Sequence, residues 1–302
     1  MDLTMEGRKV LPQPGQSLLE LVKQLGLDGS TLTERPLAAK IAGEVFTLNY
    51  IPVRQKEAEA DRQSMRRAMA ASNGEIRLLR YADPAGKECY IRTAQFTIFL
   101  AMRQLWPEAT VKMTCTLGSS VYISVAGAKD FSASTLKARV SELVGQDIPL
   151  IRRRVKLQKA IDRFREEGQT DKARLLSWRT VDYFDEYAYG DFADYYYGEM
   201  MPSTGYLTVW DILPADGGFV FVSPDDGNPE ICAKVPPMPN FFSVFNEGER
   251  WGELMECQTV ADLNDLTNSG RIRELIRVNE ALHEKRFSQV ADQVCQRGAK
   301  AA

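Results

Sequence analysis

Apolar residues along this 302-residue chain change their period several times, and each change marks an element. After the turn-forming cluster Pro12-Gln13-Pro14-Gly15-Gln16, the residues Leu18, Leu19, Leu21, Val22 and Leu25 recur at helical spacing. This predicts a short helix capped by Ser17 and ended near Gly26. Residues 38–48 carry two short apolar runs split by a turn containing Gly43, the pattern of a hairpin. Residues 56–71, rich in Ala, Arg, Glu and Met, predict an inserted helix, and residues 76–79 a further strand. Between 93 and 106 the chain is apolar nearly all round, through Phe96, Ile98, Phe99, Leu100, Met102 and Leu105. Such a helix is buried on several sides, and Pro107 stops it.

Residues 111–125 alternate around Gly118 like paired strands, and Ser132 or Ser134 is placed to cap a helix carrying Leu136, Val140 and Leu143 before Gly145. A strand at 148–155 contains Arg152-Arg153-Arg154, whose alternate residues face opposite sides and so form no continuous basic stripe. Leu157, Ile161 and Phe164 mark a short helix ending at Gly168, and strands are expected at 207–212 and 218–222. Six of the eleven tyrosines fall between Tyr183 and Tyr197. Two readings stand: a platform on which a nucleobase stacks, or a strand pair whose rings pack inward with hydroxyls reaching solvent. The acidic neighbours favour the second, because they repel a phosphate backbone. From 261 to 296 the apolar residues recur every three or four positions. A stretch that short cannot bury a core of its own, so these helices are expected to be a connector. Alternating strands and helices make the whole an α+β protein.

Composition narrows the function classes. With 44% hydrophobic and 26% charged residues the chain has material for two or three domains. The net charge is −3, from 38 Lys and Arg against 41 Asp and Glu, so no global field draws nucleic acid or an anionic membrane. Any polyanion site must be local. Cys89, Cys115, Cys232, Cys257 and Cys295 are scattered without a Cys-x-x-Cys spacing, which argues against a disulfide framework and a zinc knuckle and for a reducing cytoplasm. Neither a signal peptide nor an apolar run of about 18 residues occurs, so no membrane partner is expected.

The order "PGQSLLELV" (14–22) then "AAKIAGEVFTLNYIPV" (38–53) resembles the TGS domain, a ubiquitin-like β-grasp module. Arg92-Thr93-Ala94-Gln95-Phe96, Leu105-Trp106-Pro107 and Tyr196-Tyr197-Gly198-Glu199-Met200 resemble the editing-like α+β domain of threonyl- and alanyl-tRNA synthetases. That resemblance implies an editing site with two histidines four positions apart on a helix and a later cysteine and histidine at the same spacing. Here the four positions read Arg92, Phe96, Tyr196 and Met200, and the chain's one histidine, His283, lies elsewhere. A first-row metal needs imidazole, thiolate or carboxylate donors, so no metal site is expected there. The four residues remain the candidate ligand-binding set of the former editing cleft. Arg92 either grips a carboxylate or phosphate or forms a surface ion pair; Phe96 and Met200 fill the core; Tyr196 needs a hydroxyl partner if buried. Arg92 and Tyr196 are expected to face one cavity.

The stretches "MMPSTGY" (200–206), "NFFSVFNEGERWGELM" (240–255), "ADLNDLTNSGRIRELIRVNEALHEK" (261–285) and "SQVADQV" (288–294) resemble the bacterial long-form, uridine kinase-like nucleoside kinases, ahead of their catalytic domain. This implies a TGS-like domain at 1–87, an editing-like domain at 88–255 and a helical connector at 256–302. No Gly-x-x-x-x-Gly-Lys-Ser/Thr occurs, so nothing here cradles the β and γ phosphates of a nucleotide. ATP and Mg are therefore expected only in a downstream kinase domain, with no cofactor and no catalytic residue in this chain. The expected function is a noncatalytic accessory module of a nucleoside kinase that senses a small ligand or nucleotide. The alternative is an RNA- or tRNA-binding module, and an aminoacyl-tRNA editing hydrolase comes third. The candidate partners are a kinase domain of the same polypeptide where one is present, a small-molecule or nucleotide ligand, and a second copy in a homodimer; RNA is a further candidate that the charge does not support.

Overall fold

The computed structural model describes residues 3–52, 74–235 and 250–298. The helix expected at 56–71 and most of the 240–255 stretch lie outside the described residues. Two compact units emerge, one of Met1–Arg154 with Asp185–Pro236 and one of Val155–Phe184 with Pro237–Ala302.

The first unit opens with β1 (Leu3–Met5), β2 (Arg8–Val10), α1 (Leu18–Gln24), β3 (Ala38–Ile41), β4 (Glu44–Thr47) and β5 (Glu75–Leu79). The strands form one sheet in the order β2-β1-β5-β3-β4, with β1 and β5 parallel and the other pairs antiparallel. This is the β-grasp arrangement that the resemblance implied. Ser17 caps α1 as expected: its side chain accepts from Glu20 N while the Glu20 carboxylate accepts from Ser17 N. Alternation along the central strands explains why this sheet is buried on both faces. Ala39, Ile41, Ile76 and Leu78 pack under α1 with Leu18, Leu21 and Val22, whereas Ala38 and Leu79 join the larger core of the unit.

That larger core is organised by α2 (Pro84–Leu105), a helix that begins at Pro84 rather than at 93. Proline is tolerated in a first helical turn because its missing N–H has no intrahelical partner there. Asp83 is therefore the N-cap and Pro84 the first residue of the helix. Gly86 sits against the Arg80 carbonyl, where a Cβ would lie 2.0 Å from the oxygen. Behind α2 stands an antiparallel sheet of β6 (Thr110–Leu117), β7 (Ser120–Ala126), β11 (Asp211–Ala215) and β12 (Gly218–Val222), in the order β11-β12-β7-β6. Helix α3 (Ala133–Gly145) packs on α2 and β11, and Ser132 rather than Ser134 caps it. The strand expected at 207–212 starts only at Asp211, because a 3-10 turn at Thr204–Tyr206 precedes the buried Leu207.

A three-stranded sheet has the order β10-β9-β8, from β8 (Arg152–Lys156), β9 (Tyr183–Tyr189) and β10 (Phe192–Asp194). β8 is shorter than the expected strand at 148–155, since Pro149 makes only an isolated bridge to Ser203. The second unit holds α4 (Leu157–Glu166), α5 (Thr170–Ser177), α6 (Val260–Asn268) and α7 (Ile272–Gln296). Gly168, at φ +74°, ends α4 as expected, but the chain re-enters a helix at once. Arg174 of α5 reaches both Asp262 and Asp265 of α6, and Trp178 Nε1 donates to Asp265. Helix α7 has no buried residue. Among the described residues no helix is long and apolar enough to cross a membrane.

Candidate functional site

The four positions singled out in the sequence divide between core and cleft. Phe96 and Met200 are fully buried in the core around α2. The Phe96 ring packs edge-on against Phe192 at 5.3 Å and against Tyr196 at 6.2 Å between centroids. Tyr196 therefore turns toward the core, and its buried hydroxyl has no hydrogen-bond partner. Burial, with the charge of Asp194 added, holds that phenol well above its ordinary pKa. A phenyl ring, a phenol and a thioether packed together do not fit a metal ion. Among the described residues no group of three or more His, Cys, Asp or Glu is arranged to hold one.

Arg92, one turn before Phe96 on α2, instead lines a cleft of about 440 Å³. Its walls include Glu44 and Phe46 from β4, Glu88 from α2, Arg152 from β8, and Gly198 with Glu199 from the segment after β10. Tyr196 does not line it, so Arg92 and Tyr196 do not share this cavity; ring packing with Phe96 draws the tyrosine inward. Arg92 Nη2 lies 2.5 Å from Glu88, one helical turn back, and Nη1 donates to the backbone oxygen of Glu199 at 3.1 Å. The close approach depends on Gly198. It sits at φ +119°, and a Cβ there would stand 2.7 Å from Arg92 Cζ.

Glu199 is the buried acid of the cleft. Its carboxylate takes Arg152 at 2.8 Å on one oxygen and the Tyr187 hydroxyl at 3.1 Å on the other. Burial raises its pKa above the ordinary carboxylate value, against the pull of Arg152 and the Tyr187 hydrogen bond. The Tyr187 oxygen also accepts from Met200 N at 3.2 Å, and Thr93 Oγ1 accepts from Met201 N at 3.0 Å. These bonds tie the 199–201 segment to α2 and β9. Cys89, a turn earlier on α2, is a buried thiol whose pKa burial pushes up to about 12.

The cleft thus carries two guanidinium groups, each paired with a carboxylate, and a third acid, Glu44, on its wall. Glu88 is largely exposed, and exposed ion pairs are worth little, so Arg92 can exchange this partner for an incoming anion. The other two arginines of the basic run are paired as well, Arg153 with the buried Glu186 and Arg154 with Asp185. Tyr183, Tyr189 and Tyr197 are exposed, but Tyr187 keeps its hydroxyl inside rather than in solvent, because Glu199 is there to accept it. Glu199 and Tyr187 were not singled out as site residues, and Arg152 was set aside as part of a run that forms no continuous stripe. The one available signal was a glutamate between Gly198 and the apolar pair Met200-Met201, a charge placed where the neighbours are buried.

No family model matches this chain. Similar proteins include the threonine–tRNA ligase of Halorhodospira halophila, 27% identical over 202 residues that make up 66% of this chain and 30% of that protein. The threonine–tRNA ligase of Carboxydothermus hydrogenoformans is 26% identical over 67% of this chain and 29% of its own length. That of Symbiobacterium thermophilum is 24% identical over 68% of this chain and 29% of its own length. The chain spans about 30% of the length of these relatives. The α+β scaffold is consistent with the synthetase-like region expected. The nucleoside-kinase assignment is corrected: these relatives are tRNA ligases, and nothing found supports a kinase parent. Two of the stretches that carried it, 261–285 and 288–294, lie in amphipathic helices, a pattern that many unrelated proteins satisfy.

Proposed function

We propose that this chain is a noncatalytic tRNA-binding module that keeps the scaffold of its ligase relatives without their editing chemistry. The observation that carries the reading is the cleft, where Arg92 and Arg152 stand beside a filled core at the former ligand positions. A guanidinium recognises phosphate or carboxylate in a planar, two-point fashion. A cleft of about 440 Å³ admits one nucleotide-sized group. The terminal nucleotide of an acceptor end matches that size, with Arg92 and Arg152 as the groups that would receive its phosphate once their acidic partners give way, and a free nucleotide is the second reading that the same volume favours. Metal and cofactor have no part in it, since Phe96, Tyr196 and Met200 offer no ligand set. A reducing, cytoplasmic setting belongs to the proposal and accords with five free thiols.

The reading is tested by incubating the full chain with aminoacylated tRNA and following both the complex and the ester bond. Expected is a complex that weakens steeply between about 50 and about 200 mM salt, with the ester surviving at the uncatalysed rate. Absence of any complex at low salt, or rapid loss of the ester, would overturn it.

A further inference from the structure

Helix α7 has no buried residue, yet its apolar positions are ordered. Ile276, His283, Phe287, Val290 and Val294 follow one another at seven, four, three and four residues, and Glu280 fills the remaining place in that stripe. This is the a/d spacing of a helix that pairs with another helix. Ile276 is 49% exposed, Phe287 64% and Val290 49%. The His283 and Phe287 rings lie together along the stripe, 4.4 Å between centroids. Ile272 and Leu275, on a different side, are half-buried. The helix therefore presents an open seam.

We propose that this seam pairs antiparallel with the same helix of a second copy of the chain. Charge complementarity selects the partner and the direction. With Phe287 set across from the partner's Ile276, the next layer brings His283 opposite the partner's Glu280, where an imidazole N–H can donate to a carboxylate. On the flank the same register brings Arg277 to the partner's Glu284. A two-fold axis repeats each of these pairs, as a self-complementary interface requires. The parallel, in-register alternative sets Glu280 on the partner's Glu280, which repels. Shifting the antiparallel pair by one heptad sets Glu280 against the partner's Val290, an unpaired charge on an apolar group. This register alone pairs Glu280 with His283 at the centre of the overlap; at each end Arg273 lies beside the partner's Val290, where its aliphatic stem packs and its guanidinium reaches solvent. The overlap, from Arg273 to Val290, is about 27 Å long at 1.5 Å per residue. A contact of that length falls short of the area that permanent dimers bury. The dimer is therefore expected to dissociate on dilution.

Sedimentation velocity on the full chain over a wide concentration range tests this, with circular dichroism as the control for helix content. Expected is a reversible monomer–dimer equilibrium that F287S abolishes. H283E, which faces the partner's Glu280 with a second carboxylate, is expected to weaken the dimer at least about tenfold. The double variant E280K/H283E recreates the cross-pair with its charges exchanged and is expected to return the affinity to within about threefold. A chain monomeric at every concentration overturns the proposal. So does a dimer indifferent to H283E, which would mean another surface or another occupant of the seam, and so does a double variant as weak as the single one.

Discussion

Arg152 Nη1 stands 2.8 Å from a carboxylate oxygen of Glu199, whose side chain is only 7% exposed. The acid is held more by burial than by rescue, since burial raises its pKa despite Arg152 and Tyr187. Removing one partner of a buried pair leaves the other uncompensated. Because Arg152 is itself half in water, Arg152→Ala is expected to cost about 1–2 kcal/mol, below the range for a fully buried pair. Glu199→Gln keeps an acceptor for Tyr187 and removes the buried charge, so less than about 1 kcal/mol is expected. Urea unfolding of both variants checks the order. The pH dependence has a defined sign. An acid with a raised folded-state pKa binds protons more tightly folded than unfolded, so its contribution is fully favourable below the ordinary value of 4.5 and is lost as pH rises through the folded value. Glu199→Gln lacks that loss. Its stability relative to wild type is therefore expected to be more favourable near pH 7 than near pH 5.

Gly198 is required twice, by its φ of +119° and by the Arg92 guanidinium lying where a Cβ would be. Gly198→Ala is expected to displace Arg92 from the Glu199 carbonyl and to destabilise the chain by roughly 1–2 kcal/mol. The melting temperature reads the cost. An unchanged value would mean that the backbone relaxes without loss.

Thiol reactivity separates core from surface. Cys295 is exposed, whereas Cys89 is buried with its pKa pushed up to about 12, so almost none of it is thiolate at neutral pH. With a disulfide-exchange reagent Cys295 is expected to react orders of magnitude faster than Cys89 in the folded chain. Equal rates would show that α2 opens readily.

Where the sequence was legible, local chemistry and tertiary packing agreed. Ser17 with Glu20 announces the start of α1, Gly118 at φ +62° turns β6 into β7, and the apolar run from Phe96 to Leu105 lies in the core. The first turns of α2 were missed because the apolar run that marks the helix begins only near Thr93, whereas the helix itself starts at Pro84. Of the cleft, Arg92 was visible as a cation at a position where the resemblance implies a ligand. Arg152 was visible only as one of a basic run, and its pairing with Glu199 was not, since that joins residues 47 positions apart and no local period records it. The kinase resemblance failed for a related reason, as amphipathic helices such as α7 share their pattern across many folds.

The central claim, tRNA held at the Arg92–Arg152 cleft, is tested most directly by fluorescence anisotropy of labelled tRNA titrated with the wild-type chain and with the double variant R92A/R152A. Two lost guanidinium contacts are expected to weaken binding roughly tenfold or more and to flatten the salt dependence by about two counterions. Equal affinity and equal salt slope for the two proteins would contradict the claim.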